Sequence, residues 1–368
     1  MTVINTREGE NLIRRFRRGR RWDTYTKEPI PRGLMSTSAR STAIPQTVLD
    51  HPSVMGFLII ADWIDIETSD GVYDWTHIDS EILRAEEAGK RVRLALHVGG
   101  DGTPQWVMDD YPSIPLIYNT VGEDKVWFPA YWDSAYLDLK TRFYEAVGAR
   151  YRNSPNVFAM SGSMADANTG DWNFRVSDQE QFDAVMDAGF TEEAFVTGYK
   201  RILDTCMKAF PGKYIMTAVG PLADFLVDEG VIKGRFSPVD ETLEYAFSKY
   251  KTRLIIAKGA LNAATPDPVV IFDGIEEDPD LLNLWRDIWI HKPKGAAQLV
   301  WSFDGDTDFK MNGRNEYAPE DVPALFAQVQ ALALTYELPF VEFWKADFIS
   351  GDLDTELAAF SSVLIGGD

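Results

Sequence analysis

Residues 56–106 read GFLIIADWIDIETSDGVYDWTHIDSEILRAEEAGKRVRLALHVGGDGTPQW and decide the fold. Phe57–Ala61 is a continuous apolar run, which is typical of a strand buried on both faces. A helix is predicted from about Trp75, because apolar and acidic residues fall on opposite sides of it, and Ala88-Gly89-Lys90 ends it. Arg91–His97 is a second strand. The stretch therefore predicts a βαβ unit with parallel strands and a right-handed crossover.

Polar side chains cluster where both of these strands end. The first strand is followed by Asp62, Trp63, Asp65 and Glu67, and the second ends in His97 and is followed by Asp101 and Trp106. The carboxyl ends of parallel strands are where ligands bind in α/β folds. The sequence thus predicts a functional site at this edge of the sheet.

The same residues carry a resemblance to a known family. The pattern W-x-D-I-E-x-x-x-G-x-Y-D-W-x-x-I-D occupies residues 63–79, and T-P-x-W follows at residues 103–106. It resembles the second and third βα units of retaining (β/α)8 glycoside hydrolases of clan A, especially the family 42 β-galactosidases and their relatives. The match is close over about fifty residues and extends to the rest of the chain only in the order of elements. It implies an α/β fold, a (β/α)8 TIM barrel.

The order of predicted elements agrees with a barrel. We predict a basic N-terminal arm over residues 1–30, a barrel with long active-face loops over 31–338, and a short C-terminal extension over 339–368. The eight predicted strands are residues 33–36, 57–61, 91–97, 156–164, 214–219, 254–257, 269–272 and 298–303. Residues 108–129 are predicted to be an irregular loop, and the extension is expected to pack on the barrel or form an edge strand or helix.

Composition excludes several classes of partner. The chain has 368 residues and a net charge of −21, which argues against nucleic acid or an anionic membrane surface as partner. No apolar run reaches the roughly 18 residues that a membrane span needs. The single cysteine, Cys206, excludes a disulfide framework and is interpreted as a buried small residue.

The N-terminal arm contains RRFRRGRR at residues 14–21, which could suggest a twin-arginine export signal. The following residues, 22–31, are polar, so no apolar segment of a signal peptide is present. We therefore expect no signal peptide and a cytoplasmic or virion-associated location. The arm is expected to dock on an acidic partner or on the protein's own surface, giving a homo-oligomer or a larger assembly.

The resemblance also implies a catalytic carboxylate pair. In clan A the acid/base is a Glu after Asn at the end of the fourth strand, and the nucleophile is a Glu at the end of the seventh. This chain departs from that pattern, since Ala165-Asp166 stands where Asn-Glu is expected. Asp166 is the predicted acid/base with Asp171 as substitute, and Glu276 is the predicted nucleophile with Asp273 as fallback. These residues are equally explained as turn-forming aspartates and as the acidic first turn of a helix.

Further strand-end residues are predicted to bind substrate. Trp301 matches the family's sugar-platform tryptophan, and His97 resembles the histidine that clan A members place near sugar hydroxyls. The other predicted substrate-binding residues are Asp62, Trp63, Glu67 and Trp106. Core packing is the alternative for the tryptophans and for His97, and a solvated surface position is the alternative for Glu67.

No cofactor is predicted. The four histidines are scattered without a zinc-binding spacing, and no phosphate-binding or dinucleotide-binding motif is present. Asp304-Gly305-Asp306-Thr307-Asp308 has the alternating oxygens of a calcium loop but lacks the later Glu of an EF-hand. We predict no metal.

Two functional hypotheses follow. The first is a glycoside hydrolase-like protein that cleaves a neutral or weakly charged glycan with a carboxylate pair. The second is a barrel of the same ancestry, weakly active or inactive, that binds glycan or serves as a structural component of an assembly such as a phage tail. The missing Asn-Glu and the basic arm favour the second.

Overall fold

A computed structural model of the chain describes residues 28–38, 40–121, 124–161, 176, 178–218, 239–271, 284–303, 311 and 322–366. Within these residues, twelve strands are numbered in chain order. They are β1 Gly33–Thr37, β2 Val54–Asp62, β3 Glu67–Ser69, β4 Val72–Tyr73, β5 Arg91–His97, β6 Leu116–Val121, β7 Asp124–Pro129, β8 Val157–Ser161, β9 Tyr214–Thr217, β10 Leu254–Leu261, β11 Gly295–Leu299 and β12 Phe340–Trp344.

Eight of these strands close into a parallel barrel in the order β1-β12-β11-β10-β9-β8-β5-β2. The register of β2 and β5 is unbroken from Gly56 opposite Arg91 to Asp62 opposite His97. Gly56 permits this close pairing, because a Cβ there would lie 2.4 Å from the Arg91 carbonyl oxygen. The predicted (β/α)8 TIM barrel is confirmed.

Helices surround the barrel within the described residues. They are α1 Gln46–Leu49, α2 Trp63–Ile66, α3 Thr76–Glu87, α4 Gln105–Asp110, α5 Ser134–Tyr151, α6 Gln179–Asp187, α7 Glu192–Ala209, α8 Val239–Tyr250, α9 Pro268–Ile271, α10 Leu284–Ile290, α11 Val322–Thr335, α12 Lys345–Ile349 and α13 Asp354–Gly366. Side-chain caps fix where the two longest helices begin. Asp133 accepts hydrogen bonds from the first turn of α5, and Thr191 accepts one from the Ala194 amide of α7.

Two hydrophobic cores hold the layers together. The larger core lies between the barrel and the helices and contains the outward-facing residues of β2 and β5, such as Phe57 and Leu94. The smaller core fills the barrel interior and includes Met35, Phe158 and Phe340. Alternate strand residues therefore supply the two cores, as a closed barrel requires.

A charged pair crosses the barrel interior. Arg93 of β5 donates from Nη1 to both carboxylate oxygens of Glu342 on β12, at 2.5 and 2.6 Å, and from Nη2 to the Ser161 hydroxyl at 2.9 Å. The Glu342 side chain is 2% exposed and that of Arg93 is 11% exposed. The middle of the barrel is therefore polar and links the third, fourth and eighth barrel strands.

The segment before β1 covers the N-terminal end of the barrel, where the strands begin. Glu28 pairs with Arg91 at the start of β5, and its carbonyl oxygen accepts a hydrogen bond from the Tyr214 hydroxyl at the start of β9. Ile30 packs on the interior core. Arg32 donates to the Leu364 carbonyl oxygen of α13 at 2.6 Å, so the two ends of the described chain meet on this face.

The seventh and eighth strands differ from the prediction. Residues 268–271 form α9, so the predicted strand at 269–272 is wrong, and the seventh barrel strand is β11. The eighth is β12, which pairs with β1 and β11. A short apolar run such as Val269-Val270-Ile271 fits a strand and a buried helical turn equally well. The barrel consequently extends past residue 338 and includes part of the predicted C-terminal extension.

Two loops also contain structure that the sequence analysis did not predict. The segment after β2 forms the short hairpin β3–β4, and the predicted irregular loop at 108–129 contains the antiparallel hairpin β6–β7. Gln181 of α6 supports the second hairpin by donating to the Tyr118 carbonyl oxygen at 2.8 Å. Residues 1–27 of the predicted arm lie outside the described residues.

Lys140 of α5 provides a pH-dependent test of this packing. The side chain is fully buried, and desolvation lowers its pKa from 10.5 to about 7. Between these values the unfolded chain binds more protons than the folded chain. The contribution of Lys140 to the free energy of unfolding therefore rises with pH from about 7 to about 10.5, by about 1.4 kcal/mol per pH unit.

We expect the difference in unfolding free energy between wild type and Lys140→Met to change in that direction between pH 7 and 10, measured by urea denaturation. Lys208→Met on α7 is the matched control, because Lys208 is exposed. A pH-independent difference for Lys140→Met would contradict the assigned titration.

Candidate functional site

Three side chains meet at the carboxyl ends of neighbouring barrel strands. Arg40 follows β1, Asp62 ends β2 and His97 ends β5. Arg40 donates from Nη1 to Nδ1 of His97 at 2.8 Å and lies 3.7 Å from Oδ1 of Asp62. Nδ1 of His97 lies 3.2 Å from the same carboxylate oxygen. We call Arg40, Asp62 and His97 the strand-end cluster.

The ring of His97 is fixed from behind by a glycine. Its side chain is 3% exposed. A Cβ on Gly102 would lie 2.3 Å from Nδ1 of His97 and 2.4 Å from its carbonyl oxygen, so a larger residue cannot occupy that position without moving the ring. The turn at residues 99–102 therefore packs directly against this histidine.

The cluster has unused hydrogen-bonding capacity. Oδ1 of Asp62 is buried and accepts no hydrogen bond from the described residues, although Arg40 and His97 lie 3.7 and 3.2 Å away. Nδ1 of His97 can accept a hydrogen bond from Arg40 or donate one to Asp62, but a single nitrogen cannot do both. The position of the imidazole proton therefore decides which of the two hydrogen bonds forms. The Arg40 side chain is 37% exposed. A ligand hydroxyl at this mouth would find both a carboxylate acceptor and a guanidinium donor.

An aromatic pair lies at the ends of β11 and β12, next to β1 in the barrel. Trp301 follows β11 and is 37% exposed. Its ring lies 5.8 Å from that of Trp344, which ends β12 and donates from its indole nitrogen to the Leu299 carbonyl oxygen at 3.1 Å. Trp301 therefore stands at the end of the seventh strand, not the eighth as predicted. Its exposed ring suits the predicted platform.

Three predicted substrate-binding residues take part in packing. Trp63 is fully buried, stacks on Phe143 with centroids 5.1 Å apart and donates its indole N–H to Glu67 at 2.7 Å. Glu67 is also fully buried and accepts from the Gly71 amide at 2.9 Å. Burial therefore corrects the role of Trp63 and Glu67 from binding to packing. The half-buried Trp106 donates to the Glu67 carbonyl oxygen at 2.9 Å, and its binding role stays a prediction.

The Glu67 carboxylate influences its surroundings. Burial, reinforced by this carboxylate, raises the pKa of Tyr73 to about 12. Arg142 of α5 lies 3.4 Å from Glu67 and also pairs with Asp70. Glu67 is therefore the acceptor of a small network that surrounds the hairpin behind β2.

The predicted catalytic residues lie outside the described residues. Asp166 and Asp171 fall in the segment after β8, which follows the fourth barrel strand as expected. Glu276 and Asp273 fall between α9 and α10, in the connection from the sixth to the seventh strand, so the expectation that they end the seventh strand is wrong. The Asp304–Asp308 segment also lies outside the described residues.

Arg40 and Trp344 are site residues that the sequence analysis missed. Arg40 follows the predicted first strand, and its position beside a strand end was the signal available. Among the described residues, no group of three or more His, Cys, Asp or Glu side chains is arranged to hold a metal ion. No helix within the described ranges has the length and apolar character to cross a membrane.

Two solved structures have a fold similar to that of this chain. The catalytic domain of a β-amylase from Paenibacillus polymyxa superposes with a TM-score of 0.56 at 8% identity, covering 90% of this chain and 99% of that domain. A β-galactosidase from the psychrophilic Marinomonas ef1 gives 0.50 at 11% identity, covering 84% of this chain and 53% of the other. This chain thus spans about half the length of the latter. At these identities the likeness concerns the fold alone.

A known family matches part of the sequence. The model of the β-galactosidase family, glycoside hydrolase family 42, matches residues 54–163. This segment begins with β2, contains β5 and β8, and includes Asp62 and His97. The resemblance to family 42 is therefore confirmed over residues 54–163. No curated protein sequence matches the chain.

The structural role of Glu67 can be tested by Glu67→Gln. The amide nitrogen would face one of the donors that the carboxylate now accepts from, leaving a buried polar group unsatisfied. We expect the free energy of unfolding to fall by about 1–3 kcal/mol, measured by chemical denaturation. The control is Asp65→Asn, an exposed carboxylate two residues away, for which a change within about 0.5 kcal/mol is expected. Unchanged stability with weakened glycan binding would restore the binding role.

Proposed function

We propose that this protein is a glycosidase that cleaves glycosidic bonds of a neutral or weakly charged glycan at the C-terminal face of the barrel. One observation carries the proposal: the family 42 match covers the strands whose ends present Asp62 and His97. Active sites of such barrels lie on this face. The net charge of −21 and the pairing of Arg40 with Asp62 favour an uncharged ligand over a strongly anionic one.

In this proposal the strand-end cluster positions the sugar. Asp62, whose side chain is 17% exposed, accepts a hydrogen bond from a sugar hydroxyl. Arg40 donates to a second oxygen of the ligand, while Gly102 keeps the His97 ring in register with both. The exposed ring of Trp301 provides a flat apolar surface for the sugar. No organic cofactor takes part.

The carboxylate pair of the proposal is Asp166 and Glu276. Asp166 protonates the glycosidic oxygen as the bond from the anomeric carbon to that oxygen breaks. Glu276 attacks the anomeric carbon, and water then hydrolyses the glycosyl-enzyme with Asp166 as base. If the pair is wide, Glu276 instead activates water directly. Glu276 does not follow the seventh strand, as the resemblance implied. In the sequence it lies in the connection from β10 to β11, and β10 ends at the same face of the barrel.

The described carboxylates nearest the mouth are poor substitutes for this pair. Glu67 is buried behind Trp63, and both oxygens of Glu342 accept hydrogen bonds from Arg93. Oδ1 of Asp62 lies 3.7 Å from Arg40 and 3.2 Å from His97, which hold this carboxylate at the rim. We therefore assign Asp62 to binding.

The test is hydrolysis of a panel of nitrophenyl glycosides and soluble polysaccharides. Asp166→Asn and Glu276→Gln are each expected to lower kcat by about 10²- to 10⁴-fold, because each removes a group that acts at the reacting bond. Asp62→Asn is expected to lower kcat/KM by about 10- to 100-fold, since one charged hydrogen bond to substrate is weakened. Asp65→Asn, exposed and three residues from Asp62, is the control. Activity that survives in both Asp166→Asn and Glu276→Gln would overturn the pair.

A second candidate function is favoured by Ala165-Asp166, the position where family 42 relatives carry Asn-Glu. An aspartate is one methylene shorter, so the pair could bind glycan without cleaving it. In that case the wild-type protein binds a polysaccharide and releases no product, and Asp62→Asn weakens this binding. Release of reducing ends by the wild type would exclude the second candidate.

A further inference from the structure

Two aromatic side chains in the described part of the chain are more than a third exposed. They are Trp301, at 37%, and Trp127, at 45%. Every other described tryptophan, tyrosine and phenylalanine is buried or half-buried. Both exposed rings belong to segments that follow barrel strands, so both lie on the C-terminal face. Trp301 already has a proposed role, and Trp127 has none.

Trp127 lies on the strand of its hairpin that is closer to the strand-end cluster. The hairpin belongs to the connection that leaves β5 after His97. Its strand β7 packs against the Gly100–Gly102 turn, and its strand β6 packs against α6 on the outer side. Gly102 of that turn contacts the His97 ring. The hairpin therefore extends the turn that packs against His97.

The ring of Trp127 is held in place from one side. Tyr118 lies directly opposite in the antiparallel register, and the two ring centroids are 4.8 Å apart. Tyr118 is 1% exposed, and the Lys125 ammonium lies 4.6 Å from its ring centre. Lys125 in turn pairs with Glu180 of α6. Trp127 is therefore supported by Tyr118 and still leaves 45% of its side chain exposed, as a binding platform requires.

The two exposed rings stand on opposite rims of the barrel. In the ring of eight strands, β5 and β11 are four places apart in either direction. A ligand that touches both Trp127 and Trp301 must therefore cross the mouth. Flat apolar faces of sugars pack on aromatic rings, and a glycan chain presents such faces repeatedly.

We propose that Trp127 is a second sugar platform and that the ligand is a glycan chain that crosses the barrel mouth between Trp127 and Trp301. This inference rests on the proposed function and specifies its substrate class as an oligosaccharide or polysaccharide. The strand-end cluster then contacts an internal unit of the chain, while each rim binds units further along it. The competing explanation is that Trp127 serves only to cover Tyr118.

The experiment compares wild type, Trp127→Ala, Trp127→Tyr and Leu116→Ala. Leu116 is the matched control, because it is a 38% exposed apolar residue on the same hairpin. Thermal melts followed by circular dichroism establish that each variant is folded. Native affinity electrophoresis in gels containing galactan, xylan, glucomannan or mixed-linkage β-glucan identifies a polysaccharide that retards the wild type. Titration calorimetry with oligosaccharides of increasing length from that polysaccharide then gives Kd.

We expect Trp127→Ala to weaken binding of the longer oligosaccharides by about 3- to 10-fold, with a loss that grows with chain length. Trp127→Tyr should stay within about 2-fold of wild type, because an aromatic face remains, and Leu116→Ala should match wild type. A folded Trp127→Ala that binds every oligosaccharide as wild type does would overturn the platform and leave the proposed function standing. A wild type that neither binds nor cleaves any of these glycans would overturn both.

Discussion

The ion pair between Arg93 and Glu342 is the constraint on which the rest of the barrel depends. A buried charge is costly, and removing one partner of such a pair typically costs about 3–5 kcal/mol, because the other charge is left without compensation. Here both oxygens of Glu342 are satisfied by one guanidinium nitrogen, and Ser161 takes the second nitrogen. The pair therefore fixes the eighth strand against the third and fourth. It also divides the interior into an apolar lower part, around Phe158 and Phe340, and a polar upper part that opens at the strand-end cluster.

The length and composition of each apolar run determined which strands could be predicted from the sequence. Phe57–Ala61 and Arg91–His97 were found because long apolar or alternating runs have few competing explanations. The strand FVEFW at residues 340–344 was predicted only as a possible edge strand or helix outside the barrel, because a glutamate interrupts a short run and its partner Arg93 is distant in sequence. The strand GAAQL at 295–299 consists largely of small residues, and the prediction placed a strand at 298–303 instead. The error at residues 269–272 then displaced Glu276 from its expected strand end.

The candidate site shows a similar division between what was predictable and what was not. Asp62 and His97 were predicted from their strand-end positions, and the structure brings them within 3.2 Å of each other. Trp63 follows Asp62 directly and enters a helical turn, so its side chain joins the outer core instead of the mouth. Because side chains of a strand alternate between its two faces, the faces of Asp62 and Trp63 could be told apart in principle. The sequence did not show that the strand ends at Asp62. Arg40 was missed because its contacts depend on how the segment after β1 folds back over the barrel.

The anchoring of the chain ends has a consequence for attachment. The segment from Glu28 to Arg32 and the end of α13 meet on the N-terminal face of the barrel, through the bond from Arg32 to Leu364. The mouth with Asp62, His97 and Trp301 is on the opposite face. The described chain therefore begins and ends on the back of the molecule. A surface or module held close to Glu28 or Gly366 would face this side and leave the mouth open.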